Sequence, residues 1–454
     1  MKRLTSSSLW FLAALLAAIP SSRLSAAAPG AGLAMDAELV EMRTEVPKLK
    51  AASEYKVKDG VVEIELSEYA GYAGLILANG GLDPSEDTSF FKKHGFKLKI
   101  KLSEEESWSP LNSGRIAASA TTVDVLVPYS RQLDAVVPML ISFSRGADGI
   151  VVRTDVPRIN NLKGKTLSCC QFTESDFFIR YLAQEAGLGV NMLPDFSAKP
   201  DPQKVNLIFC ADAFGAGDLF LRDVKAGQAR LAGCVTWAPK TTEVAEGSGG
   251  KAKVLTSNRN LLIIADILVV NRAFAKENPK ILAGLVEGIL EGNQKLRDNP
   301  GQGSDVIAKA FKWKPEDVKG ELSKVHFANL PENLAFFSGA LDSAGSYGYI
   351  YETAGYVYGS ELLGKIADAD KFPSLDALKA IERSGAFKDQ KASISPIRST
   401  VARAETSGEE ESLLSKDIRF MFAPNSTKLE AGKKENTKGL EAIAQQQVAV
   451  GDDQ

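Results

Sequence analysis

The 454-residue chain is poor in the side chains that carry most reactive chemistry. It has two histidines, His94 and His326, and four cysteines, Cys169, Cys170, Cys210 and Cys234. Neither histidine stands at ligand spacing from a cysteine, which argues against a Cys/His metal centre, so no metal is expected. Cys169 and Cys170 are adjacent and would face opposite sides of a strand. The four thiols leave two readings open: one disulfide in an oxidising compartment, or buried thiols at strand ends. A G-x-S-x-G elbow is absent, as are a P-loop Lys-Ser/Thr and a G-x-G-x-x-G after a strand. The nearest approach to a carboxylate pair is Asp212 and Asp218 around FGAGD. Acids so placed read as helix caps or hinge residues, and no enzymatic activity or cofactor is expected. Basic excess is missing too: a net charge of −3 leaves no footprint for nucleic acid. Long apolar runs are also lacking. LLIIADILVV (Leu261–Val270) is strand-length and carries Asp266 in its middle. LWFLAALLAAI (Leu9–Ile19) falls short of the roughly 20 residues that span a bilayer.

That N-terminal run has another meaning. Lys2 and Arg3 precede it, and Pro20 and the small-residue stretch SAAAPG from Ser25 follow it. This is the pattern of a secretory signal, with cleavage expected after Ala27. No cysteine lies near the cut, so a lipid anchor is not implied. Losing residues 1–27 removes three basic residues and no acid, which moves the net charge from −3 to −6. The chain is expected to be exported and soluble in the periplasm.

From Val61 to about Asp389 strand-like and helix-like segments alternate, which predicts parallel sheets covered by helices. LILANGG, from Leu75, reads as an apolar strand that ends on Gly80-Gly81. FKLKIKL (Phe96–Leu102), TTVDVLV (Thr121–Val127), VVPMLISFS (Val136–Ser144), GIVVRTD, KTLSCC (Lys165–Cys170), VNLIFC (Val205–Cys210), CVTW (Cys234–Trp237) and Leu261–Val270 read as further strands. DFFIRYLAQEAGL and DLFLRDVKAG read as helices ended by Gly187 and Gly227, and EVAEGSGGKAK as a connection. Asn278-Pro279 opens a long helix with a cap and Pro at its first position. Tyr347, Tyr349, Tyr351, Tyr356 and Tyr358 read as aromatic packing between helices. A glycine pair at a strand end permits either a tight turn or close approach of the backbone to a ligand. The loops after Leu77, Leu102, Cys170 and Cys210 lie at strand carboxyl ends, where open α/β sheets bind ligands. Thr173 and Asp176 have capping-box spacing, and FSRGADG (Phe143–Gly149) marks a crossing between two strand systems, a natural hinge.

LILANGG, EEESWSPLNSGRIAASATTVDV, SRGADGIVVR, INNLKGKTLSCCQFTESDFFIRYLAQEAGL and FGAGDLFLRDV together resemble the periplasmic solute-binding proteins of ABC importers. The similarity is to the nitrate/sulfonate/taurine branch, or the phosphate type. It implies an α/β, two-lobed fold of type 2 with mostly parallel sheets and covering helices. Residues 59–145 with 259–390 would form lobe 1, and 146–258 lobe 2. The solute implied is small and anionic, and an ABC permease is the implied partner. Carried over by position, the ligand-facing candidates are Asn79, Gly80, Gly81, Trp108, Thr121, Thr122, Ser144, Arg145, Asp148, Thr173, Ser175 and Trp237. Hydroxyls and backbone N–H groups would bind oxyanion oxygens, Arg145 would supply charge, and the tryptophans would form walls. The loops also carry acids, Glu104 to Glu106, Glu174 and Asp176, which runs against a purely anionic ligand. After a polar linker, 391–412, residues 413–454 resemble the start of an OmpA-like module, through Ile418, Phe420, Phe422, the Asn425-Ser426 turn and Leu429. Peptidoglycan is a partner only where such a module is complete. The rival readings are an envelope structural protein with a degenerate binding fold, and an enzyme built on the same two lobes.

Overall fold

The computed structural model describes residues 39–103, 107–341 and 345–394. The signal-like segment 1–27, most of the linker and the OmpA-like stretch 413–454 lie outside the described residues. Twelve strands are found in the described chain: β1 Val61–Leu66, β2 Lys97–Leu102, β3 Ala118–Thr122, β4 Ala135–Ser144, β5 Asp148–Arg153 and β6 Thr166–Cys170, then β7 Gly189–Met192, β8 Lys204–Cys210, β9 Gly233–Trp237, β10 Ala252–Ser257, β11 Ala265–Asn271 and β12 Val325–Phe327. They form two six-stranded sheets, ordered β12-β4-β11-β3-β1-β2 and β10-β5-β9-β6-β8-β7. The chain passes between them twice, at 145–147 and at 258–264.

Both sheets are mixed rather than mostly parallel. The pairs β1·β2, β1·β3, β6·β8, β6·β9 and β7·β8 are parallel. The antiparallel pairs all involve β4, β5, β10 or β11, the strands that lead into and out of the two crossings. A strand arriving from the other sheet is not delivered by a helical crossover, so nothing forces it parallel.

Two apolar segments expected as strands are helical. AGLILAN forms a helix, Ala73–Asn79, whose C-cap Gly80 adopts φ +69° and donates to the carbonyls of Ile76 and Leu77. The strand expected over Thr121–Val127 stops at Thr122, and Val123–Tyr129 is a helix buried all round. A helix enclosed on every side has no polar face, so its sequence loses the 3.6-residue period and looks like a central strand. The expected connection EVAEGSGGKAK takes in the second half of a helix, Lys240–Gly247, and runs into β10. The Pro279–Asp298 helix begins at Asn278-Pro279 as its sequence predicts, and Tyr347, Tyr351 and Tyr358 are buried on the Tyr347–Tyr358 helix.

One apolar cluster runs without interruption from β4 (Phe143) through β5 (Ile150, Val152) to Phe177 and Tyr351. The two sheets therefore share a core on one side of the crossings.

Candidate functional site

Between the sheets lies a cavity lined from both. β1 and the turn after it contribute Leu66, Ser67, Tyr69 and Tyr72, β3 contributes Ser119 to Thr122, and β11 contributes Asp266. From the second sheet come Asp148 at the start of β5, Cys170 at the end of β6 and Thr173 after it, Asp212 after β8, and Trp237 at the end of β9. Trp108 closes one side. The space open to the centres of water-sized molecules is about 70 Å³, room for several waters or one small solute.

Six of the twelve sequence candidates line this cavity: Trp108, Thr121, Thr122, Asp148, Thr173 and Trp237. Trp108 begins a short helix and packs its ring 5.4 Å from Tyr129; Trp237 packs 5.4 Å from Phe214. Thr173 is the N-cap of the Glu174–Glu185 helix, but its hydroxyl donates back to the Cys170 carbonyl at 2.9 Å. The expected capping box is not made. Asp176 instead accepts from Phe172 N–H at 3.0 Å and from Arg180 Nε at 2.6 Å.

The other six are placed differently. Ser144 stands behind the wall and donates to Asp148 Oδ2 at 2.5 Å. Arg145 belongs to the crossing: its backbone N–H donates to the Lys324 carbonyl and its Nε to the Arg259 carbonyl at 3.0 Å. Burial and the neighbouring Arg259 charge depress its guanidinium pKa, and it is not among the residues lining the cavity. Ser175 is buried in its helix, also away from the lining. Asn79, Gly80 and Gly81 do not reach the cavity, because the segment that carries them is a helix with a left-handed end. Asn79 Nδ2 donates to the carbonyls of Gly81 at 3.0 Å and Leu98 at 3.1 Å, which closes the turn. The glycine pair is a helix stop.

The electrostatics are dominated by buried acids. Asp266 accepts from Ser142 Oγ at 2.7 Å and from Tyr72 OH at 3.3 Å. Burial drives its carboxyl well above the ordinary range, and the charges of Asp148 and Asp124 push the same way. Burial also lifts Asp148 to about 6, against the Ser144 hydrogen bond. Asp124, on the helix that follows β3, is raised to about 8. No lysine, arginine or histidine is among the described residues lining the cavity. Asp212 accepts from Gly215 N–H at 2.7 Å as a helix cap, and Asp218 pairs with Lys240 at 3.2 Å. All four cysteines are buried free thiols, and burial lifts Cys210 to about 12.

Sequence reasoning missed Tyr69, Tyr72, Asp266 and Asn258. Asp266 had a signal, since an acid inside an apolar strand needs buried partners. Asn258, fully buried, sits on the second crossing and braces the first. Its Oδ1 accepts from Gly146 N–H at 2.9 Å, and its Nδ2 donates to the Ser144 carbonyl at 3.1 Å.

No family model and no curated protein sequence matches the chain. Solved structures do. The alkanesulfonate-binding protein SsuA from Xanthomonas axonopodis pv. citri, bound to MOPS, superposes with a TM-score of 0.52 at 12% identity, over 70% of this chain and 100% of that one. The ligand binding component of an ABC-type import system from Staphylococcus aureus, with zinc bound, gives 0.51 at 12% identity, over 70% and 98%. At such identities the likeness is one of architecture: the chain has the two-lobed fold of periplasmic solute-binding proteins.

Proposed function

We propose that the chain is an exported, periplasmic solute-binding protein that captures a small molecule between its two sheets for ABC-type uptake or envelope sensing. One observation carries the reading. Trp108 and Trp237 come from opposite lobes, are 2% and 8% exposed, and line one cavity. Neither indole N–H has an acceptor among the described residues. A buried donor without a partner costs about 1–3 kcal/mol, and a solute bearing an acceptor relieves that cost. A ligand that touches both lobes stabilises the arrangement in which they face each other, by no more than its differential affinity for it.

The sulfonate-binding and zinc-bound neighbours support a solute of some kind. The anionic solute rests on resemblance, because Arg145 is engaged in the crossing. Peptidoglycan enters as a partner only through the resemblance of 413–454 to an OmpA-like module.

The test is thermal unfolding of protein lacking residues 1–27 against a panel of small solutes, with tryptophan fluorescence read in parallel. A bound solute raises the midpoint in proportion to RT ln(1 + [L]/Kd). It also perturbs the indole emission, and Trp237→Phe weakens the response. A well-folded protein that responds to no solute would move the assignment to the envelope structural reading.

A further inference from the structure

We propose that the solute is a small organic cation carrying at least one hydrogen-bond acceptor, such as a protonated nitrogen base. The proposal rests on the solute-binding reading above and names its ligand class. Three facts about the cavity lead to it.

The first is sign. Asp148, Asp212 and Asp266 line the cavity, and no basic side chain of the described residues does. Asp148 and Asp266 come from different sheets, so a positive group between them is held from both sides. Their hydrogen bonds from Ser144, Ser142 and Tyr72 orient the carboxylates without neutralising them. An oxyanion placed there meets carboxylates, and no guanidinium or ammonium of the described residues lines the cavity to pair with it.

The second is the nature of the walls. Tyr69, Tyr72, Trp108 and Trp237 line the same space, and the faces of such rings attract a desolvated cation. Carboxylates among aromatic rings are a poor cage for a hydrated metal ion and a good one for an organic cation with apolar surface.

The third is independent of the acids. The two indole N–H groups, nine-tenths or more buried and without partners among the described residues, call for acceptors on the ligand. A simple alkylammonium leaves them unmet, whereas a base with a carbonyl, hydroxyl or ring nitrogen satisfies them. Burial keeps Asp266 and Asp148 above the usual carboxylate range. A cation placed between them favours the ionised carboxylates against that burial.

The experiment uses the chain lacking residues 1–27, with thermal unfolding and tryptophan fluorescence against matched probe sets. The cations are choline, putrescine, benzamidine and 4-aminopyridine. The anions are methanesulfonate, nitrate and phosphate; pyrimidine and acetamide are the neutral probes, and Mg²⁺ and Zn²⁺ the metals. At least one organic cation is expected to raise the midpoint while the anions do not. Asp148→Asn is expected to weaken that cation about 10–100-fold, and Trp237→Phe to weaken choline, whose hydroxyl can accept, more than putrescine, which has no acceptor when protonated. Asp266→Asn replaces Asp148→Asn if circular dichroism shows the latter misfolded. Stabilisation by anions, neutral solutes or metals alone overturns the cation proposal and leaves solute binding standing. Cation binding unchanged in both Asp variants also overturns it. Silence from every set removes the solute-binding reading and the proposal together.

Discussion

Asp124 is a buried carboxyl whose cost depends on pH. Burial lifts it to about 8, against the Thr122 hydroxyl and its own backbone N–H. In the unfolded chain it titrates near ~4. Below that both states hold the proton and the group is neutral toward stability. Between roughly pH 4 and 8 the unfolded state alone is ionised, so stability falls by about 1.4 kcal/mol per pH unit. Asp148 adds to the fall up to its own value of about 6. Urea unfolding across this window should show the decline, and Asp124→Asn should flatten much of it. A wild-type profile that rises with pH would contradict the burial of these acids. Asn258 offers a second test. Its side chain spans both crossings, and Asn258→Ala strands the Gly146 N–H among others. The expected loss is about 2 kcal/mol in urea unfolding.

Glycine has opposite effects on two helices. Gly292, on the Pro279–Asp298 helix, lies where a Cβ would collide with the Gly74 carbonyl on the Ala73–Asn79 helix. Gly320, in the Pro315–Leu322 helix, has nothing near its missing Cβ. Alanine favours a helix over glycine by about 1 kcal/mol, so Gly320→Ala should stabilise by up to that amount. At Gly292 the same gain is outweighed by forcing two backbones apart, and a net loss of about 1–3 kcal/mol is expected. Thermal midpoints moving in opposite directions would establish the close crossing; midpoints moving together would deny it. This crossing also explains why LILANG has the sequence pattern of a strand. Its helix is sealed by a partner more than 200 residues away in the chain, and no local period records that. The Pro279–Asp298 helix, with one solvent face, kept its stripe and was legible from end to end.

An extended segment at the start of the described chain ties the lobes together. Val40 N–H donates to the Phe209 carbonyl beside the second sheet, and Arg43 exchanges two hydrogen bonds with Gln171. Further on, Leu49 N–H donates to Gln132, Ser53 N–H donates to the Asn112 carbonyl, and Asn271 Nδ2 donates to the Ser53 carbonyl. Residues 39–53 therefore strap one lobe to the other, alongside the shared apolar cluster. Deleting 39–50 should lower the thermal midpoint and enlarge the radius of gyration in X-ray scattering, as the lobes separate more often. An unchanged radius would mean that the shared core alone holds them.

What the sequence determined was what local chemistry carries: alternation of strand and helix, the helix start at Asn278-Pro279, the cap at Asp212, and the handover between strand systems at Phe143–Gly149. Those features depend on neighbours a few residues apart, so they survive without the fold. Half of the sequence candidates line the site, and Thr121, Thr122, Asp148, Thr173 and Trp237 among them were legible because they sit on or beside strand ends. Only tertiary structure decided which apolar runs were sealed helices and that Arg145 faces the crossing. It alone brought Asp148 and Asp266 from separate sheets to one cavity. Those outcomes depend on contacts between segments more than a hundred residues apart, where burial and through-space charge, rather than propensity, set the result.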